Sequence, residues 1–259
     1  MAGLTGKTPA ATYKDLLKIE NSNAGIDDTL RQVQDGTGDG SALYIETNSV
    51  KIKPEADDTA LLDIHDKDGN SKFKVDTSND LVTAIGHYTN TQYAYFGTTS
   101  TDAIPSASST HTAVPFGNLF GSNAEVTFGT GTNPATSLTI STTADDLLGV
   151  IWYIPDNITV DAVHVWVAGS AASGDTLKFH LMKYDIVSAD GSTCGDLSNG
   201  TVVADGADIT HDGYEQADYQ SMTIQSANVD SGEAVLLMIH SNGTNSDYSI
   251  NATVKYHLR

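Results

Sequence analysis

Eight histidines, one cysteine and thirty-three carboxylates are the groups in this chain with chemical potential, and their spacing decides what they can do. The histidines at 65, 87, 111, 164, 180, 211, 240 and 257 include no i, i+4 pair and no His-x-His. Those spacings would put two imidazoles side by side for a metal. His164 and His180 fall between apolar positions of alternating segments, so each faces away from the apolar stripe. That is the usual place for a surface or interface histidine. In three copies around an axis such side chains could also converge on a metal. Cys194 sits in the loop Gly191-Ser192-Thr193-Cys194-Gly195-Asp196 with no evident base, and no Gly-x-Ser-x-Gly elbow is present. Carboxylate pairs such as Asp145-Asp146 follow from the acidity of the chain. Glycoside hydrolysis would need two placed carboxylates in a groove, which spacing cannot supply. The expectation is a protein that is not an enzyme, with no catalytic residue, no cofactor and no resident metal.

Three glycine motifs read more simply as turns. Gly6-Lys7-Thr8 resembles the end of a phosphate loop, but position 1 is Met where that motif needs glycine, and Pro9 follows. Gly36-x-Gly38-x-Gly40 lacks the spacing, the buried strand and the helix of a dinucleotide fingerprint. Asp66-Lys67-Asp68-Gly69 lacks the Glu six residues after the glycine that a calcium loop requires, since position 75 is Val75. Tyr214 and Tyr219, in the segment Asp212-Gly213-Tyr214-Glu215-Gln216-Ala217-Asp218-Tyr219, are candidates for stacking on a sugar ring, or plain surface tyrosines.

Charge excludes two classes of partner. Thirteen Lys and Arg against thirty-three Asp and Glu leave −20. That opposes a nucleic-acid backbone, and likewise an anionic membrane surface. No apolar run approaches the ~18 residues of a membrane span, and residues 1–7 lack the apolar core of a signal peptide. The imbalance is also uneven. Residues 1–90 carry nine basic and fifteen acidic residues, −6, and the rest carry four and eighteen, −14.

The pattern predicts a mainly β protein in three parts. Over residues 1–85, short apolar runs alternate with turn signals. Leu43/Ile45 reads as a strand, and Leu62/Ile64 and Phe73/Val75 as a hairpin around Asp68-Gly69 in a type I′ turn. This part is too poor in apolar residues to bury a core alone, and three intertwined copies would supply the missing surface. Residues 86–120, with the small polar stretch Gly97–Thr110, have the composition of a connector. Residues 121–259 read as an antiparallel β-sandwich, jelly-roll-like. Their alternating segments include Val126/Phe128, Leu138/Ile140, Val150/Trp152/Ile154, Val163/Val165/Val167 and Leu177/Phe179/Leu181, with Ala234–Ile239 as a buried run.

The N-terminal residues carry a resemblance. Lys7-Thr8-Pro9-Ala10-Ala11-Thr12-Tyr13-Lys14-Asp15-Leu16-Leu17-Lys18-Ile19, followed by Asn21-Ser22-Asn23-Ala24-Gly25-Ile26-Asp27, resembles the opening of tail-fibre proteins of tailed, podovirus-like marine bacteriophages. Val33–Gly38, Ser41–Leu43, Val50–Ile52 and the hairpin Leu62–Asp76 follow the same pattern. The resemblance covers about the first 85 residues and implies a region that attaches a fibre to the virion and trimerises. Tyr13, Leu16, Leu17 and Ile19 are then the candidate docking residues. The implied partners are further copies of the chain and other virion proteins, a tail adaptor or nozzle, or the capsid. The implied location is the virion, with a distal sandwich exposed for host-surface contact, such as a host glycan. The alternatives are a capsid fibre or decoration protein, and a carbohydrate-binding module. Neither nucleic acid nor membrane insertion is expected.

Overall fold

The structure is a computed structural model. It describes residues 16–19, 21, 24–84, 87–88, 90–99, 109–117, 126–140, 144–169, 173–188, 191–243 and 248–259. The chain divides into two compact units, Met1–Thr89 and Asn90–Arg259. Among the described residues, the regular elements are strands apart from one short helix.

The first unit holds two four-stranded antiparallel sheets, each a simple meander. One is β1 (Lys18–Ile19), β2 (Arg31–Gln34), β3 (Gly40–Ile45) and β4 (Val50–Ile52); the other is β5 (Leu62–His65), β6 (Ser71–Asp76), β7 (Leu81–Ala84) and β8 (His87–Tyr88). Each sheet turns on the same local device. Between β2 and β3, Asp35 accepts backbone N–H bonds from Thr37, Gly38 and Asp39, and Gly38 takes φ +99°. Between β5 and β6, Asp66 accepts from Asp68 and Asn70, and Gly69 takes φ +85°. The expected two-residue type I′ turn is therefore corrected. Only Gly69 lies in the left-handed region, and its N–H returns to Asp66 O at 3.1 Å. The turn is a three-residue loop, Lys67-Asp68-Gly69, closed by a left-handed glycine, with Asp66 N–H donating to Asn70 O at 2.9 Å and the register shifted beside it. The Asp side chains cap these turns. The expected pairing holds: Leu62 faces Val75 and Ile64 faces Phe73.

The second unit is a two-sheet sandwich. Its strands are β9 (Thr91–Thr98), β10 (Thr112–Ala113), β11 (Trp152–Tyr153), β12 (Ile158–Gly169), β13 (Thr176–Ile186), β14 (Leu197–Asp205), β15 (Ile209–Thr210), β16 (Gln216–Ser221), β17 (Thr223–Ile224), β18 (Asn228–Val229), β19 (Glu233–Ser241) and β20 (Ser249–Leu258). The smaller sheet runs β16-β12-β20-β9, with β18 also on β12. The larger runs β10-β19-β13-β14-β17, with β11 on β19 and β15 on β13. Between them lie Val163, Val165, Val167, Leu177, Phe179, Leu181, Val235, Leu237 and Ile239, all essentially water-free. Along the chain the long strands β9 and β12 enter the smaller sheet, β13 and β14 the larger, and β16, β19 and β20 then alternate between the two, compatible with a jelly-roll.

A second core lies on the opposite side of the larger sheet. Met182, Tyr184, Leu236 and Met238 pack there against Val126, Phe128, and Leu147 and Val150 of helix α1 (Ala144–Val150). The larger sheet is therefore buried on both faces, which is why Ala234–Ile239 is uninterruptedly apolar. Three expectations change here. The 86–120 connector gives way in part, because β9 pairs with β20 and Ala113 and Val114 are fully buried; residues 100–108 lie outside the described set. Val126/Phe128 and Leu138/Ile140 form a cover touching the sheet through isolated bridges, not full strands. Val150 closes a helix instead of opening a strand. Their alternation arises because an irregular cover must also send every second side chain inward.

Candidate functional site

The outer face of the smaller sheet is the surface where chemistry gathers. Alternation along β12 buries Val163, Val165 and Val167 and turns His164 and Trp166 outward. Register then sets Trp166 between Asn251 of β20 and Tyr219 of β16, and His164 between Thr253 and Ser221. Trp166 is 55% exposed and Tyr219 53%, and their rings lie 5.2 Å apart, tilted 47°. The Tyr219 hydroxyl sits 2.8 Å from His164 Nδ1. Tyr93 and Tyr95 of β9 face outward farther along the sheet. One row toward the strand ends, the outward residues shrink to Ser249, Ala168 and Ala217. The floor drops there, opening a hollow of about 320 Å³ beside Trp166.

A second cluster lies within the cover of the larger sheet. His111 packs against His180 at 5.0 Å and His240 at 4.6 Å between ring centroids. His111 and His180 are fully buried. His111 Nδ1 faces Gly129 O at 3.2 Å, while Nε2 of both rings has no hydrogen-bond partner. His180 Nδ1 approaches Asp205 Oδ1 at 3.0 Å without hydrogen-bond geometry, and Lys178 Nζ lies 3.3 Å from the same oxygen. Burial pushes both His111 and His180 down to about 4. Among the described residues no group of three or more His, Cys, Asp or Glu is placed to hold a metal.

The two histidines singled out by parity therefore part company. His164 is half-buried on the outer sheet face. His180 points away from the inter-sheet core as expected, but its far side is covered, so it cannot approach a symmetry axis between chains. Of the candidate sugar contacts, Tyr219 lies within strand β16 and not in a loop, while Tyr214 stands on the preceding bend, 76% exposed. Trp166 was the residue that sequence reasoning passed over, although the valine alternation already placed it outward. Of the candidate docking residues, Leu16 and Leu17 are 53% and 78% exposed, and Ile19 pairs with Val33 in β1–β2. Tyr13 lies outside the described residues. No helix among the described residues is long and apolar enough to cross a membrane.

No protein family and no curated protein matches the chain. Among solved structures, a chain in "Structure of infectious bursal disease virus Gx strain" aligns with 92% of this chain at 10% identity and a TM-score of 0.30. The alignment covers 46% of that chain, less than half its length. At that score the likeness carries no argument about fold or function.

Proposed function

We propose that this is a bacteriophage virion structural protein, a homotrimeric tail fibre whose first unit anchors it and whose sandwich is displayed for host contact. The observation that carries the reading is how little apolar surface the described residues of the first unit bury. Among its described residues, Val33 is the one buried apolar side chain. Leu43, Val50, Ile52 and Ile64 are between 39% and 67% exposed, on strands whose partners leave one face open. A meander of that kind is marginal alone, and closing it against symmetry-related copies removes both the apolar face and the free edges. The resemblance of residues 7–76 to fibre openings points the same way.

The charge distribution agrees. Nine of the thirteen basic residues lie in the anchoring unit, while the displayed unit carries −14, which discourages clumping of neighbouring fibres. Native mass spectrometry of the full chain tests the reading: three chains per particle support it, and a stable monomer removes it. Gold labelling of intact virions then separates a tail position from a capsid one.

A further inference from the structure

We propose that the hollow beside Trp166 binds a neutral or amino-sugar pyranose, with the indole as stacking platform and Asn251 as the directing amide. The inference deepens the host-contact reading by naming a ligand class. Saccharide binding itself stands or falls on the chain alone.

The site is built by strand register. Trp166 and Asn251 face each other across β12 and β20, both exposed on the same face. Ala168, Ala217 and Ser249 remove side-chain bulk from the adjacent row, and the resulting hollow of about 320 Å³ falls within the range of small-ligand sites. Tyr219 packs against Trp166 on the side away from Asn251, and its hydroxyl contact with His164 holds that ring in place before any ligand arrives. A pre-set platform loses little conformational freedom on binding.

The chemistry of the lining selects the ligand. A pyranose presents one face of C–H groups and a rim of hydroxyls. The first suits an aromatic ring, and the second suits an amide that both donates and accepts. The −14 charge of residues 91–259 repels uronic acids, sialic acids and nucleic-acid phosphates, and leaves neutral and amino sugars as the compatible class.

Intrinsic fluorescence of the full-length protein provides the test. Trp152 is buried at 8% exposure and Trp166 is open, so a solvent-sensitive change reports on Trp166. Methyl β-galactopyranoside, methyl α-glucopyranoside, N-acetylglucosamine and glucosamine are titrated, with glucuronic acid as the anionic comparison. At least one of the first four should give a saturable change, and glucuronic acid none. An immobilised-sugar assay should then show binding weakened about tenfold or more in Trp166→Ala and in Asn251→Ala, with Tyr214→Ala unchanged. Absence of saturable binding by every neutral and amino sugar overturns the proposal. So does binding that survives Trp166→Ala. A change in oligomeric mass in Trp166→Ala would make the face a contact between copies, which also overturns it. A monomeric wild-type chain that binds the sugar supports the site and removes the fibre.

Discussion

Nδ1 of His164 lies 2.8 Å from the hydroxyl of Tyr219, and the two rings stack with centroids 5.9 Å apart. The pair ties β16, an edge strand, to β12 by side chains as well as by the backbone ladder. Tyr219→Phe deletes the hydroxyl and keeps the ring. An exposed hydrogen bond of this kind contributes about 0.5–1 kcal/mol, so chemical denaturation should register a loss within that range. Sugar binding should persist but weaken, because the flanking ring is less firmly held. A loss of several kcal/mol would show that the bond carries more of the sheet than its exposure allows.

Acid should loosen the sandwich before it reaches the carboxylates. His111 and His180 are neutral when folded, with pKa pushed down by burial to about 4 from 6.5. The unfolded chain takes up protons below about pH 6.5 and the folded chain does not until about pH 4. Stability is therefore undiminished above 6.5, falls as pH drops from 6.5 through 4, and levels off with respect to these groups below that. Neighbouring Lys178 and His240 add to the penalty on a protonated His180, and Asp205 opposes it. Thermal melts at pH 7.5, 6, 5 and 4.5 should show a progressive decrease that His180→Gln makes shallower. A flat profile between pH 7 and 5 would contradict this account.

Gly200 marks a point where the cover rests directly on the larger sheet. A Cβ there would lie 2.8 Å from the Thr136 backbone and collide with the Tyr184 ring. Tyr184 is itself fixed by donating its hydroxyl to Ala135 O at 2.8 Å. Gly200→Ala should therefore destabilise the second unit by about 1–3 kcal/mol, read as a shift in denaturation midpoint. A neutral result would mean that the 126–140 cover can slide.

The turn at Gly69 offers a local test. Space around it is open, so the whole penalty of Gly69→Ala comes from φ +85°. That amounts to about 1 kcal/mol, and amide exchange in β5 and β6 should quicken while exchange in β12 and β20 stays as it was. Asp66, held at about 2 by the amides and Lys72 around it, caps the same turn. Asp66→Asn should preserve part of that protection, and Asp66→Ala less.

What could be read from the chain depended on whether one side chain in two had a single fate. The hairpin Leu62–Val75 was legible because alternation and the Asp68-Gly69 turn signal agree on where the chain reverses, although the turn that forms is of another type. Ala234–Ile239 was legible because a strand covered twice has no polar positions to confuse the pattern. The cover at 126–140 and 144–150 was not, since its contacts with the sheet are isolated bridges and its described helix spans only Ala144–Val150. That omission made His180 look exposed: parity says which way a side chain points, not what lies there. For Trp166 the direction was legible but not the shrinking row beside it, because Ala168, Ala217 and Ser249 meet only through strand register.

Strand β20 lies between β12 and β9. While the ribosome is still decoding residues 249–258, β9 lacks its neighbour in the smaller sheet, and β12 waits with one edge unfilled. The sandwich therefore cannot assemble hairpin by hairpin as the chain emerges. It must close in a late step that joins segments more than 150 residues apart, with the inter-sheet apolar surface under Ile250, Ala252 and Val254 open until then. A nonsense codon shortly before Ser249 would leave a chaperone and protease substrate in place of a slightly trimmed domain.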